Sequence, residues 1–222
     1  MIFLSISLLD QTILRFYLYD LFSEIFLYKI DDKEYNDMLM KISKIDENFG
    51  QLVMNIANVN ISEIREKFNQ IKKKDYLIEY STLFLTGLGN KPLVPVESKR
   101  LFVKLGEKIA MYKYTDIIRF YSSRRIVPKL GNTFVHEPDH ISTILAFMSL
   151  LIKEEYELRK NNKNPFNIIS DQINFATTHI VSWIPEWAND VINDNRSDIF
   201  KVVCKNLVSW IQYDYNTIRK AN

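Results

Sequence analysis

Apolar residues recur at steps of three and four along almost the whole chain, and this period constrains the fold more than any other feature. It places the apolar residues on one face of an α-helix. The first helix predicted in this way carries on its inner face Ile6, Leu9, Ile13, Tyr17, Leu21, Ile25 and Tyr28. Only 5 glycines and 6 prolines occur in 222 residues, too few for the many turns of an all-β fold. The sequence therefore predicts an all-α helical bundle of about nine or ten helices.

A loop without a helical period divides the predicted bundle. Residues 123–137 contain basic residues, proline and glycine and interrupt the helices on either side. We expect residues 1–122 to form an N-terminal helical lobe and residues 138–222 a C-terminal helical lobe, within one compact unit. The loop between them is predicted to be a hinge that ends at Glu137 and Pro138.

The charge, the cysteine content and the N-terminus exclude several classes of protein. A net charge of +2 is too small for a nucleic-acid-binding surface, which carries a basic stripe. The single cysteine, Cys204, has no partner for an intrachain disulfide or for a paired-cysteine metal motif. The apolar residues 1–10 lack a basic region and a cleavage site, and charges soon interrupt them, so they predict neither a signal peptide nor a membrane span. We therefore expect a cytoplasmic protein without stable membrane insertion.

His136-Glu137-Pro138-Asp139-His140 matches the HExxH pattern of zinc-dependent hydrolases. That pattern binds zinc because two histidines four positions apart share one face of a continuous helix. Proline inside a helix removes a hydrogen bond and clashes with the preceding turn, whereas the first helical position accepts it. We therefore predict a loop-to-helix junction without a metal, in which Pro138 opens the helix. A metal-dependent hydrolase that uses His136, Glu137 and His140 is kept as the alternative.

The polar residues of this junction suit either a structural or a binding role. Glu137 and Asp139 place negative charge at the start of the predicted helix, where the helix dipole favours it. On the first interpretation the segment is only a well-formed helix start, and His140 is a hydrogen-bonded polar side chain. On the second, Asp139 and His140 form an acidic lip beside an apolar groove. Such a surface suits a peptide in which cationic residues precede hydrophobic ones.

Three blocks of residues stand in a fixed order along the chain. They are Tyr80-x-x-Leu83-Phe84 with Pro95-x-Glu97-Ser98, then Glu137-Pro138-Asp139-His140-Ile141, and then His179-x-x-x-Trp183-x-Pro185. Arg15 and Tyr17 precede them, so the pattern extends over nearly the whole chain. Its order and spacing resemble the TorD/DmsD/NarJ-type family of redox-enzyme maturation chaperones.

The resemblance implies an all-α fold of two lobes joined by a hinge, with no catalytic activity and no cofactor. It also implies a partner. Members of the family bind the twin-arginine signal peptide of a molybdopterin oxidoreductase of the DMSO-reductase type and hold the apo form for cofactor insertion before export. Carried over by position, the implied peptide contacts are Tyr80, Leu83, Phe84, Pro95, Glu97, Asp139 and His140.

Two further alternatives accompany this interpretation. A helical adaptor protein without leader specificity has the same general features, and it would keep its partner when the leader is removed. The chain is expected to be a monomer or a domain-swapped dimer, because a long hinge permits helices to exchange between protomers.

Overall fold

The computed structural model describes residues 7–127 and 137–220. In this part of the chain the α-helices are α1 (Leu8–Ile25), α2 (Asp32–Ala57), α3 (Ile61–Asn69), α4 (Lys73–Tyr80), α5 (Glu97–Leu105), α6 (Glu107–Ser123), α7 (Ile141–Lys160), α8 (Phe166–Phe175), α9 (Ile184–Asn193) and α10 (Ile199–Lys220). Two π-helical segments, Ser81–Leu85 and Ala176–Val181, continue α4 and α8. The described residues contain no strand, and the predicted all-α class is confirmed.

Helices α1 and α7 form the central pair and pack extensively on each other. α1 begins after Ser7, whose hydroxyl accepts a hydrogen bond from the amide of Asp10 at 3.1 Å, as an N-cap residue does. The inner face predicted for α1 was wrong in part: Leu21 and Ile25 are buried, but Leu9 and Ile13 are only half-buried and Tyr17 is exposed. Ile6 of that face lies outside the described residues. The face that α1 buries includes instead Leu14, Leu18, Tyr19 and Phe22. Both helices bury a set of apolar side chains. On α7 they are Ile141, Ile144, Leu145, Phe147, Met148, Leu151 and Ile152. Removal of this surface from water is the main favourable term in forming the bundle.

Glycine is common just past the end of a helix, and Gly50 on this ground predicts a helix stop, but the residue lies inside α2. The helix continues to Asn58, which ends it in the left-handed conformation with φ 53°. A Cβ atom on Gly50 would lie 2.4 Å from Oδ1 of Asp46. That carboxylate is held in place because it accepts a hydrogen bond from the hydroxyl of Ser62 at 2.6 Å. The prediction of a stop was wrong: the glycine makes room for a contact between α2 and α3.

Arg15 lies in a buried ionic network that joins four helices. Its guanidinium on α1 pairs with Asp214 on α10 at 2.5 Å and with Glu155 on α7 at 2.7 Å. It also donates a hydrogen bond to the side-chain oxygen of Gln172 on α8 at 2.6 Å. Tyr19 donates to the second oxygen of Asp214 at 3.0 Å. Because charged hydrogen bonds of this kind are directional, the network fixes how α1, α7, α8 and α10 sit against one another.

One core of buried apolar side chains runs through helices on both sides of residues 123–137. Its most aromatic part surrounds Phe84, whose ring centroid lies 5.0 Å from that of Tyr80, 4.8 Å from Phe200 and 5.7 Å from Trp187. Residues of the first sequence block therefore pack in one cluster with residues of α9 and α10. The division into two lobes stays a prediction, and residues 128–136 of the predicted hinge lie outside the described residues.

Candidate functional site

Two of the sequence blocks meet through their backbones. The amide of Glu97 donates to the carbonyl of Asp139 at 3.1 Å, and the amide of Ile141 donates to the carbonyl of Pro95 at 2.9 Å. Between these bonds, Val96 and His140 form an isolated antiparallel bridge. We call this meeting point, residues 95–98 with residues 137–141, the junction.

The junction is held in place from several sides. The amide of Leu93 donates to the carbonyl of Leu83 at 2.7 Å, and the indole of Trp187 donates to the carbonyl of Leu93 at 2.9 Å. In residues 137–141 of the junction, the carbonyl of Pro138 accepts a hydrogen bond from the hydroxyl of Tyr121 at 2.8 Å. The first π-helical segment, α6 and α9 therefore all position the junction.

Asp139 caps α5, not the helix that follows it. Its Oδ2 accepts a hydrogen bond from the amide of Ser98 at 2.7 Å, which satisfies a free amide of the first turn of α5. α7 begins at Ile141, and His140 is its N-cap residue. The expectation that Pro138 opens the helix was wrong, because Pro138 and Asp139 form a turn before the N-cap. That turn allows the carboxylate to reach across to α5.

His140 is buried and hydrogen-bonded at both ring nitrogens. Its Nδ1 accepts from the amide of Ser142 at 3.2 Å, so the proton of the neutral ring is assigned to Nε2. Nε2 lies 3.4 Å from the hydroxyl of Tyr80, and that hydroxyl donates to the carbonyl of Phe26 at 3.1 Å. A chain of hydrogen bonds therefore runs from the N-cap of α7 to the end of α1.

Glu97 is fully buried and faces a histidine that lies between two carboxylates. Its Oε2 lies 2.8 Å from Nδ1 of His179, whose Nε2 lies 3.2 Å from Oδ2 of Asp116. Each ring nitrogen of His179 therefore lies within hydrogen-bond distance of one carboxylate oxygen. Lys113 approaches the other oxygen of Glu97 at 3.7 Å. Burial raises the pKa of the Glu97 carboxyl, against the opposing effects of His179 and Lys113.

Two carboxylate oxygens at the junction have unused acceptor capacity. Oε1 of Glu97 and Oδ1 of Asp139 are buried and accept no hydrogen bond from the described residues. Buried polar atoms are nearly always paired, and each exception calls for an explanation such as a ligand or an ordered water. The junction can therefore accept further N–H donors, and the guanidinium group carries five of them.

The two π-helical segments flank this chemistry. Ser81–Leu85 contains Leu83 and Phe84, and Ala176–Val181 contains His179. π-Helical turns are rare and occur frequently at functional sites, because they displace side chains from regular helical positions. Their positions support the junction as the candidate site.

All seven predicted peptide contacts are buried, and the structure brings them together around the junction. Pro95, Glu97, Asp139 and His140 form the junction itself. Tyr80 adjoins it through His140, whereas Leu83 and Phe84 lie below it in the aromatic core, with exposed fractions of 0% and 1%. Whether these side chains contact a peptide stays a prediction, and in this conformation they support the surface above them.

Sequence reasoning missed the accessible part of this region. A cavity of about 500 Å³ lies between α5 and α6, and its lining is mostly apolar. The residues that line it are Ser98, Lys99, Phe102, Glu107, Ala110, Met111 and Tyr114. Their helical spacing is visible in the sequence, but the same spacing describes core residues, so no sequence signal marks them as accessible.

Removal of the Asp139 carboxylate is expected to fray the start of α5. Asp139→Ala should lower the free energy of unfolding by about 1 kcal/mol, the typical value of a lost N-cap. Asp139→Asn should retain most of it, because the amide oxygen can still accept from Ser98. Urea denaturation followed by far-ultraviolet circular dichroism measures both. Ser98→Ala is the matched control, since only its backbone amide is used. Equal stability of the Ala variant and the wild type would contradict the assigned cap.

Residues 7–127 and 137–220 contain neither a metal-binding cluster nor a membrane-spanning helix. In these ranges no group of three or more His, Cys, Asp or Glu side chains is arranged to hold a metal ion. His136 of the alternative hydrolase site lies outside the described residues. No helix of the described chain is long and apolar enough to cross a lipid bilayer.

Known proteins share the sequence pattern and the fold. The family model for the nitrate reductase delta subunit matches residues 44–189, which is more than half of the chain and includes every predicted contact residue. A crystal structure from Archaeoglobus fulgidus, of a protein assigned to redox enzyme maturation, superposes with a TM-score of 0.57. The superposition covers 89% of this chain and 93% of that chain at 18% sequence identity. At this identity the likeness concerns the fold alone.

Proposed function

The chain belongs to the nitrate reductase delta subunit family of redox-enzyme maturation proteins, and from this membership we propose that it binds the twin-arginine leader of a molybdopterin oxidoreductase. In this role it holds the apo form of the client in the cytoplasm until the cofactor has been inserted, and it releases the client for export. It acts as a chaperone and not as an enzyme.

The observation that carries this proposal is the pair of unused carboxylate oxygens at the junction, on Glu97 and Asp139. A twin-arginine leader presents two guanidinium groups followed by a hydrophobic run. Guanidinium groups pair with carboxylates through two parallel hydrogen bonds, and such pairs are stronger than neutral hydrogen bonds. The junction therefore has the acceptor chemistry that the cationic part of the leader requires.

The leader reaches this chemistry through the turn at Glu137 and Pro138, the end of the predicted hinge. In the turn the amide of His140 donates to the carbonyl of Glu137 at 3.0 Å, and Tyr121 donates to Pro138. A movement of this short segment uncovers Asp139 and then Glu97. In the proposed complex Asp139, His140, Glu97 and Pro95 contact the arginine pair, and Tyr80, Leu83 and Phe84 form the apolar floor.

Capture of a leader fusion tests the proposal. A carrier protein fused to the leader of a molybdopterin oxidoreductase from the same organism should co-purify with this protein. Replacing the leader's Arg-Arg by Ala-Ala should weaken capture at least tenfold, because each charged hydrogen bond contributes about 1.5–3 kcal/mol. The double variant Asp139→Asn, His140→Ala should also weaken capture while its helical circular dichroism stays unchanged.

The outcomes separate the proposal from the adaptor alternative. Retained capture of a client that lacks its leader would favour an adaptor without leader specificity. Failure of every leader from the organism's molybdopterin oxidoreductases to bind would rule out the proposed function.

A further inference from the structure

The α5–α6 helical hairpin exposes an unusual amount of apolar surface. Several of its large apolar side chains face solvent, among them Phe102 at 56%, Met111 at 62% and Tyr112 at 63% exposure. Large contiguous apolar patches are rare on the surface of soluble proteins, and they often mark binding sites. The exposed side chains adjoin the cavity between the two helices, which Phe102 and Met111 also line.

The cavity adjoins the junction, because Ser98 belongs to both, and we call it the groove. Ser98 and Lys99 line it at the start of α5, and Glu107 lines it near the hairpin turn. From Ser98 to Leu105, α5 is about 10 Å long, or two helical turns. Gly106 closes the hairpin with φ 87°, a conformation that residues with a Cβ rarely adopt. The volume of about 500 Å³ lies within the range of ~300–1,000 Å³ of ligand pockets.

Lys99 occupies the mouth of the groove and pairs with Glu137 of the junction. Their side chains are 56% and 40% exposed, so the pair is held weakly, as exposed ion pairs are. An arriving guanidinium can replace the ammonium group on Glu137 and gains a two-bond geometry that lysine cannot form. Lys99 therefore competes with an arginine of the peptide for the carboxylate of Glu137.

We propose that the groove between α5 and α6 binds the hydrophobic run of the twin-arginine leader, and that an arginine of the leader displaces Lys99 from Glu137. This inference rests on the proposed function and adds a binding surface that is accessible without any movement of the core. The continuity of the groove with the junction carries it, because a peptide with arginines at the junction continues directly into the groove. Met111 suits this role, since a flexible thioether side chain adapts to varied apolar partners.

Two other occupants fit the observations less well. A membrane surface requires apolar side chains that project from a flat or convex face, whereas these side chains line a concavity. A second copy of the chain would have to present a protruding apolar segment, and the groove is only about two helical turns long. Both remain distinguishable outcomes of the experiment below.

Fluorescence anisotropy with a labelled synthetic peptide tests the inference. In the peptide an Arg-Arg pair precedes an apolar run of Leu and Ala. The variant Met111→Glu should weaken binding at least about tenfold, because a carboxylate would be buried against the apolar run. Phe166→Glu, at a residue that is 55% exposed on α8, is the matched control and should bind like the wild type. Lys99→Ala should tighten binding about two- to fivefold at low salt, and added salt should reduce this gain.

The possible failures are separable. If the wild-type protein does not bind the peptide, the proposed function fails together with the inference. If the wild type binds but Met111→Glu binds equally well, or if a peptide with Ser in place of Leu binds equally well, the groove inference fails and the proposed function stands. It also fails if Met111→Glu only abolishes sedimentation with phosphatidylglycerol vesicles, or only abolishes self-association, while peptide affinity is unchanged.

Discussion

Replacement of Arg15 by methionine is expected to lower the free energy of unfolding by about 3–5 kcal/mol. The substitution leaves Glu155 and Asp214 as buried carboxylates without their main counter-charge. Both are almost fully enclosed, with side-chain exposures of 3% and 1%, so water cannot compensate for the loss. Denaturation by urea at neutral pH, followed by circular dichroism, measures the change.

Two control variants identify the cause of this loss. Lys41→Met removes a pair of partly exposed ion pairs, with Asp20 and Glu24, and should cost less than about 1 kcal/mol. The triple variant Arg15→Met, Glu155→Leu, Asp214→Leu should recover much of the stability, because the uncompensated charges are removed together. A triple variant as unstable as Arg15→Met would contradict the electrostatic explanation.

Acidification should reduce the difference in the free energy of unfolding between Arg15→Met and the wild type. Burial alone would raise the pKa of Glu155. The charge of Arg15 and the hydrogen bonds from Gln172 and Arg159 outweigh burial, so the pKa of Glu155 lies below its ordinary value. A carboxyl group with a lowered pKa in the folded state stabilises the fold above its ordinary pKa, and this stabilisation is lost as the pH falls through the folded-state value. The wild type therefore loses, on acidification, the contribution that the variant already lacks.

Phe84→Ala is expected to cost about 3–5 kcal/mol of stability. The ring is buried within the aromatic cluster, in edge contacts with Tyr80 and Phe200, and its removal leaves a cavity that the surrounding helices cannot fill. The π-helical segment that carries Phe84 leads into the loop before the junction. The loss of stability should therefore be accompanied by a displacement of that loop. Urea denaturation monitored by tryptophan fluorescence measures the effect.

The same variant tests how the predicted peptide contacts act. Phe166→Ala, at an exposed position on α8, is the control and should change stability by less than about 0.5 kcal/mol. Leader capture by Phe84→Ala should be measured well below its unfolding midpoint. Lost capture at full stability would show that Phe84 contacts the leader and does not support the core; lost stability with retained capture would show the reverse.

The helical period predicted the fold class because burial in a helical bundle requires apolar residues on one side of each helix. The helix stop predicted at Gly50 failed, because the residue that needs the space, Asp46, is oriented by its hydrogen bond to Ser62 in another helix. Local preferences do not contain such a contact between elements.

The candidate site could be predicted in its members but not in its connections. The block pattern named Glu97, Asp139 and His140, and the structure brings all three together. Asp139, however, caps α5 through the amide of Ser98, which lies 41 positions earlier in the chain, and Glu97 faces His179 across 82 positions. Sequence spacing predicts neighbours only within about one helical turn. The accessibility of the α5–α6 groove was invisible for the same reason, since exposure depends on what the rest of the chain does not cover.

The large sequence separation between the residues of the Arg15 network has a consequence for biosynthesis. Arg15 and Asp214 lie 199 positions apart. At a translation rate of ~5–20 residues per second, roughly 10–40 s pass between the synthesis of Arg15 and that of Asp214. Until then Arg15 lacks Asp214, one of the two carboxylates that balance its charge in the folded protein. The buried network that joins α1, α7, α8 and α10 can therefore close only after α10 has been synthesised.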